Sequence, residues 1–216
     1  MSKVVAIDGP AGAGKSTVAR MLAEKCGFTY VNTGSLYRAI AWAAAGQQVD
    51  IKELEMSFLS TLKLEYVDGE LLVNGKNPGE ELRSSACSAA ASAIATQPLV
   101  RKFLLPVQRE AAEKGWIVME GRDIGSVIFP DAAYKFFVTA SVEERARRRL
   151  EQNANETLTF EEIKKLISER DYQDSHRSEA PLRQAEDAVL VDTSKMSIDE
   201  VVTYLCDYIS KNPVEC

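Results

Sequence analysis

Short, largely apolar runs punctuate this chain. Val4, Val5, Ala6 and Ile7 form the first, and residues 28–31, 116–119, 133–139 and 188–191 repeat the theme. Runs of this length, bounded by polar or glycine-containing segments, read as buried strands. Between them, apolar residues return every three or four positions, as on one face of a helix. Val18, Met21 and Leu22 do so after the first run, and Leu99, Phe103, Leu104 and Val107 after Pro98. Ile163, Leu166 and Ile167 share a face further on, and Val201, Leu205 and Ile209 mark the last helix. Five strands alternating with helices predict an α/β fold: a parallel sheet with helices on both faces.

The punctuation supports that frame. Gly27 fits the left-handed stop of the first helix. Ser141 with Glu144, Thr159 with Glu162 and Ser197 with Glu200 spell capping boxes. Residues 51–58 read as a short helix, and the small-residue stretch 82–96 as a closely packed one. One segment departs from the βα rhythm. Residues 62–67 and 70–73 alternate around Asp68-Gly69, a hairpin signal, and Asn74-Gly75 marks a second turn with a third short strand expected after it. A small antiparallel element here reads as an insertion, with a role or as mere decoration. Residues 152–158 read as a loop and 212–216 as a frayed tail.

Composition narrows the class. The 216 residues suit one domain, and 45% hydrophobic with 27% charged residues describes an ordinary globular protein. A net charge of −6 argues against nucleic acid as a general partner. A polyanionic substrate would need a local cluster of arginines. No signal-peptide core precedes the first strand and no apolar run is long enough to span a membrane, so a cytoplasmic protein is expected. Cys26, Cys87, Cys206 and Cys216 are scattered, and His176 is the single histidine. That pattern predicts free thiols and no protein-built metal cluster.

Chemistry enters after the first strand. Asp8 ends it, and Gly9-Pro10-Ala11-Gly12-Ala13-Gly14-Lys15-Ser16 follows, with Thr17 and a helix next. This is the phosphate-binding loop G-x-x-x-x-G-K-[ST] in its required setting of strand, turn and helix. Its glycines let backbone N–H groups curl toward an anion, and the helix start adds a positive dipole end. Lys15 is suited to the β- and γ-phosphates of a nucleoside triphosphate, and the Ser16 hydroxyl to Mg²⁺. The motif predicts nucleotide binding without naming the acceptor. A phosphotransferase with a second anionic substrate and a nucleotide-driven ATPase switch both remain open.

Other polar residues cluster where an open α/β sheet binds ligands, at the carboxyl ends of strands. Thr33 and Arg38 follow the second strand, and read either as substrate contacts or as an N-cap and a solvated charge. Glu120-Gly121-Arg122-Asp123 follows the third. Arg83, Ser92 and Arg101 are the polar residues of their helices that could face a cleft. Arg145, Arg147, Arg148 and Arg149 sit among Glu143, Glu144 and Glu151, which leaves a plain charged face open. Arg170, Asp174 and Arg177 share a helical face at i, i+4 and i+7, and a surface ion-pair ladder would give the same spacing. No N-K-x-D guanine-reading motif occurs. The arginines exceed what one triphosphate needs, which favours a second phosphate-bearing substrate.

Taken with the loop, several segments carry a likeness. They are Ile7-Asp8-Gly9-Pro10, Thr33-Gly34 through Tyr37-Arg38, Gly121-Arg122-Asp123-Ile124-Gly125, Phe129-Pro130-Asp131-Ala132, Glu144-Arg145-Ala146 and Arg170-Asp171-x-x-Asp174-x-x-Arg177. Over nearly its whole length the chain resembles the nucleoside monophosphate kinases, and within them the bacterial type of cytidylate kinase. The resemblance implies transfer of the γ-phosphoryl group of ATP to CMP or dCMP, with Mg²⁺. Another small-molecule kinase or an ATPase switch stands as the alternative. It implies a single kinase domain: core 1–50 and 98–216, an acceptor-binding region with a three-stranded insert within 51–97, and a lid near 145–157. A monomer is implied. Glu120 departs from the pattern, since many relatives are expected to carry Asp there.

The same resemblance implies roles by position. Arg38 and Arg122 would hold the CMP phosphate, with Thr33 nearby. Ser92, Arg101 and Asp123 would read the cytosine edge, and Arg170 and Asp174 the ribose. Arg177 would reach the transferring phosphates, and Arg148 or Arg149 would come over the γ-phosphate. Closure of lid and insert would then await both substrates.

Overall fold

In the computed structural model, residues 1–67, 69–152 and 158–214 are described. In chain order the elements are β1 (Ser2–Asp8), α1 (Lys15–Cys26), β2 (Thr29–Asn32), α2 (Thr33–Gly46), α3 (Met56–Leu59), β3 (Leu64–Val67), β4 (Glu70–Val73), α4 (Ser85–Ile94), α5 (Pro98–Glu110), β5 (Ile117–Gly121), β6 (Ala132–Thr139), α6 (Val142–Gln152), α7 (Phe160–His176), β7 (Val189–Asp192) and α8 (Ile198–Lys211). Two compact units result: Met1–Tyr30 with Trp116–Cys216, and Val31–Gly115. The second is wider than the 51–97 region expected for the acceptor.

The expected five-stranded sheet is present, in the order β2-β5-β1-β6-β7. Its central strand, β1, pairs parallel with β5 and β6, and β6 pairs parallel with β7. Register aligns the carboxyl ends: Asp8 lies opposite Gly121 on one side and Phe137 on the other. The loops that leave those ends therefore start side by side. Val5, Ile7, Val18, Leu22, Val118, Phe136, Val138, Val201, Val202 and Leu205 fill the core of this unit. Gly27 ends α1 at φ 68°, as expected of a left-handed stop. Helix α1 packs on α8. Burial, with Cys206 as neighbour, pushes the Cys26 thiol up to about 11, so it stays protonated. Cys26, Cys87 and Cys206 are free thiols, and Cys216 lies outside the described residues. No described helix is long and apolar enough to cross a membrane.

The second unit has its own core, with Leu36, Ile40, Leu59, Val73, Ile94 and Leu104 fully or almost fully buried. The hairpin forms, with Leu64 opposite Val73 and Val67 opposite Glu70; Asp68 of its turn lies outside the described residues. The expected third strand is absent among the described residues. Asn74 and Gly75 turn at φ 51° and 75°, and only a single bridge, Val73 to Lys76, follows. Pro78 then lacks the donor a ladder needs.

Other local expectations are corrected too. The helix expected over 51–58 splits into a 3₁₀ turn, Ile51–Glu53, and α3, because Leu54 and Glu55 are extended and Leu54 turns into the core. Asn32, not Thr33, caps α2, accepting from the Ser35 amide. The boxes at Thr159 and Ser197 are complete. At Ser141 only the Glu144 amide to Ser141 Oγ half is made. The Glu144 carboxylate binds Arg147 and Arg148, and the Ser141 amide donates to Ser194 Oγ. Leu166 is exposed while Ile163 and Ile167 are buried. Of the loop expected over 152–158, residues 153–157 lie outside the described ones, as do residues 215 and 216 of the tail.

Candidate active site

The phosphate loop leaves the carboxyl end of β1 under tight constraint. Gly9 has φ 149°, and a Cβ there would lie 1.9 Å from the Val138 carbonyl oxygen, so β6 admits only glycine. Gly14, at φ 86°, starts α1. Lys15 is 5% exposed and its ammonium donates to the Pro10 carbonyl at 2.6 Å. Burial, then the charge of Arg122, lowers its pKa to about 7; Arg170 adds to this, while Glu120 and Asp174 oppose it. Cations gathered around a buried lysine repel one another in the protein alone. They suit a polyanion that would neutralise them together. Ser16 and Thr17 are exposed at the start of the helix.

Two arginines of α6 brace this loop from behind. Arg145 is buried; it donates to the Ala11 carbonyl at 3.0 Å, the Ala140 carbonyl at 2.9 Å and Asp171 at 2.6 Å. Arg148 donates to Glu144 Oε1, Thr193 and the Ala13 carbonyl, beside Gly14. Arg147 faces solvent and pairs with Glu144 and Glu151. The arginine group is therefore divided by helical angle: one face holds the loop and the other is a charged surface.

Beside the loop, the segment after β5 winds into a wide π-type turn over Ile124–Ile128. Its first amides, Ile124 and Gly125, both donate to the Asp8 carboxylate, at 2.8 and 2.7 Å. Burial raises the Asp8 pKa to about 6; the two amides and Lys15 pull it back, and Asp123 pushes it up. A carboxyl whose pKa is higher folded than unfolded stabilises the fold fully below its ordinary value of 3.8, and that contribution is lost as pH rises through about 6. We expect the denaturant midpoint of the wild type to fall relative to Asp8→Asn between pH 4 and pH 7. The corresponding change in unfolding free energy should be on the order of 3 kcal/mol. A difference that stays constant with pH would contradict the assignment.

Four candidate residues are cross-paired in this unit. Arg122 Nε donates to Asp174 at 2.8 Å, and Arg177 to Asp123 at 3.1 Å. Both carboxylates are buried, as is the Arg177 side chain. Each pair joins segments 52 to 54 residues apart in sequence. Arg177 is the C-cap beyond the last turn of α7, and it pairs with another element rather than in the surface ladder that the spacing also allowed. Glu120 accepts from the Tyr30 hydroxyl at 2.6 Å. In the second unit, Thr33 is buried at the start of α2 and Arg38 lies one turn on, its guanidinium folded back over Gly34. Arg101 donates to the Tyr37 hydroxyl at 3.1 Å and to the Ala95 carbonyl, and Ser92 is half-buried on α4. Asp8 and Asp171 are structural participants that the sequence does not single out as site residues, and Arg145, one of the α6 arginine group, holds the loop backbone. Asp8 carried a signal: an acid as the last residue of an otherwise apolar central strand.

A glycine-rich phosphate loop on the central strand of a parallel sheet, with a buried lysine amid arginines, defines a P-loop nucleotide-binding enzyme of the kinase type. The family model described as cytidylate kinase matches residues 5–211. The chain belongs to that family, and is an ATP-dependent kinase. A cytidylate kinase from Pseudothermotoga lettingae is 45% identical over 205 residues, covering 94% of this chain and 92% of that protein. One from Thermosipho africanus is 43% identical over 212 residues, covering 95% and 93%. Among solved structures, an uncharacterized protein from Eubacterium ventriosum shares the fold at TM-score 0.56 and 13% identity, covering 96% of this chain and 98% of that one.

Proposed function

We propose that the enzyme transfers the γ-phosphoryl group of ATP to CMP or dCMP, giving ADP and the cytidine diphosphate, with Arg122 holding the acceptor phosphate. The observation that carries this reading is geometric: the phosphate loop around the buried Lys15 leaves β1 where the parallel register sets it beside the segment that carries Arg122, which is paired with Asp174. The family match supplies the acceptor class. Lys15 and the loop from Gly9 to Thr17 would hold the triphosphate, with Arg148 alongside. Arg38 and Thr33 would join Arg122 on the acceptor phosphate. Arg170 and Asp174 would meet the ribose, and Ser92, Arg101 and Asp123 the base. Arg177 would reach the transferring group.

The chemistry needs little beyond this. A phosphate monoester has a second pKa near ~6, so the attacking oxygen of CMP is already anionic at neutral pH. No base need deprotonate it. His176, the only histidine, is exposed and stacked on Tyr172 at 4.0 Å. The protein's task is to bring two anions into line and offset the charge of the transition state with Lys15 and the arginines. The donor chemistry fits Mg²⁺: the exposed Ser16 hydroxyl at the start of α1 is a hard oxygen, and this ion takes most remaining ligands from phosphates and water. When bound, it would neutralise phosphate charge.

Asp123 provides the test. Asp123→Asn keeps the shape of the carboxylate while changing what its edge accepts. We expect the KM for CMP to rise about tenfold or more and the KM for ATP to change less than about twofold. Equal losses for both substrates would contradict the base-reading role.

A further inference from the structure

We propose that Asp8 is a positioning residue for the acceptor side: its carboxylate fixes the turn that carries Arg122 and Asp123 against the strand that feeds the phosphate loop. The inference rests on the reading of Arg122 as an acceptor-phosphate ligand. Three observations carry it. First, the π-type turn makes its own bonds late: Val127 and Ile128 donate to the Asp123 carbonyl and Phe129 to that of Ile124. Its opening amides, Ile124 and Gly125, have no such partner within the turn, as at any helical start. Asp8 takes both, one on each oxygen.

Second, the site is built closely. Asp8, Ile124 and Gly125 are all buried. A Cβ on Gly125 would lie 3.1 and 3.2 Å from side-chain carbons of Lys135 and 3.5 Å from Asp8 Oδ2. Lys135 is itself held, donating to Asp187 at 2.7 Å and to the Pro130 carbonyl. Third, the donor loop has other anchors. Gly9 is seated on Val138 and Arg145 holds the Ala11 carbonyl. Loss of the Asp8 bonds should therefore free the 121–125 segment more than the phosphate loop. Asp8 touches no substrate in this account. It acts through the direction it gives to Arg122 and Asp123, two residues and one residue before the first amide it binds.

Asp8→Asn keeps the volume but replaces one acceptor oxygen with an NH₂ group that faces an N–H donor. Steady-state kinetics should show kcat/KM for CMP down by about tenfold or more, with the KM for ATP within about twofold. The decisive readout is a cycle with Arg122→Gln. If Asp8 works through Arg122, the Asp8→Asn loss should shrink to less than about threefold in the Arg122→Gln background. The same loss in both backgrounds, or an equal loss in ATP binding, would overturn the proposal. Gly125→Ala disturbs the contact from the turn side and stands in if Asp8→Asn does not fold. It should show the same CMP-selective loss, about two- to fivefold, and unchanged CMP kinetics would overturn the proposal. The two readings fail separately. CMP kinetics untouched by Arg122→Gln alone would remove the role of Arg122. Impairment by Arg122→Gln with none from Asp8→Asn would remove only the role of Asp8.

Discussion

Lys15→Met should reduce turnover by about 10³-fold while leaving the protein folded. The lysine is the one full charge on the phosphate loop, and it comes from the first residue of α1. Removing a preorganised cation from a water-poor site costs catalysis far more than ground-state binding. The effect on stability should run the other way. Burial holds the Lys15 ammonium down to about 7, so the fold bears a desolvation cost for a charge it does not need. Methionine keeps most of the apolar stem and drops the charge. The thermal midpoint of Lys15→Met at pH 7 should equal or exceed that of the wild type. A kcat within about tenfold of the wild type would contradict the assigned role. So would a collapse of the midpoint, which would make Lys15 structural.

Arg122→Gln should produce the second large loss, this time specific to the acceptor. We expect kcat/KM for CMP to fall by about 10²-fold or more, with the KM for ATP changed by less than about threefold. This variant also strands Asp174, which is buried and accepts from Arg122 Nε. An uncompensated buried charge destabilises by about 3–5 kcal/mol. The double variant Arg122→Gln with Asp174→Asn removes that penalty by neutralising both partners. Recovery of the thermal midpoint with CMP turnover still far below that of Asp174→Asn alone would separate the catalytic role of Arg122 from its structural one. Recovery of both would show that Arg122 serves mainly to satisfy Asp174.

What could be read from the sequence follows the range of the interactions. The phosphate-loop motif is local, eight residues whose geometry is dictated by glycine and one lysine, and it was legible at once. So were the sheet strands, because each is a short, largely apolar run, and the helix starts at Thr159 and Ser197, whose capping partners lie three residues away. The pairings that organise the site are not local. Asp8 meets Ile124 across 116 positions, and Arg122 meets Asp174 across 52. No periodicity encodes such contacts. The first follows from the parallel register that sets Asp8 opposite Gly121, and the second from how α7 folds back against the segment after β5. The arginines of α6 show the same boundary. Their spacing allowed a charged face or a phosphate contact, and the fold uses both, turning Arg145 inward to the loop and Arg147 to solvent. Where local signals misled, a competing constraint explains it. Pro78 ended the insert before a third strand, and Glu144 found arginine partners stronger than its own cap.

The central claim is that the phosphate loop serves transfer to a cytidine monophosphate rather than to water. A coupled assay of ADP release from ATP, run with CMP, dCMP, UMP, AMP, shikimate and no acceptor, tests it most directly. ADP release should rise sharply with CMP or dCMP, matched one for one by the cytidine diphosphate. Release indifferent to every acceptor, or stimulated only by a compound that is not a nucleotide, would contradict the account.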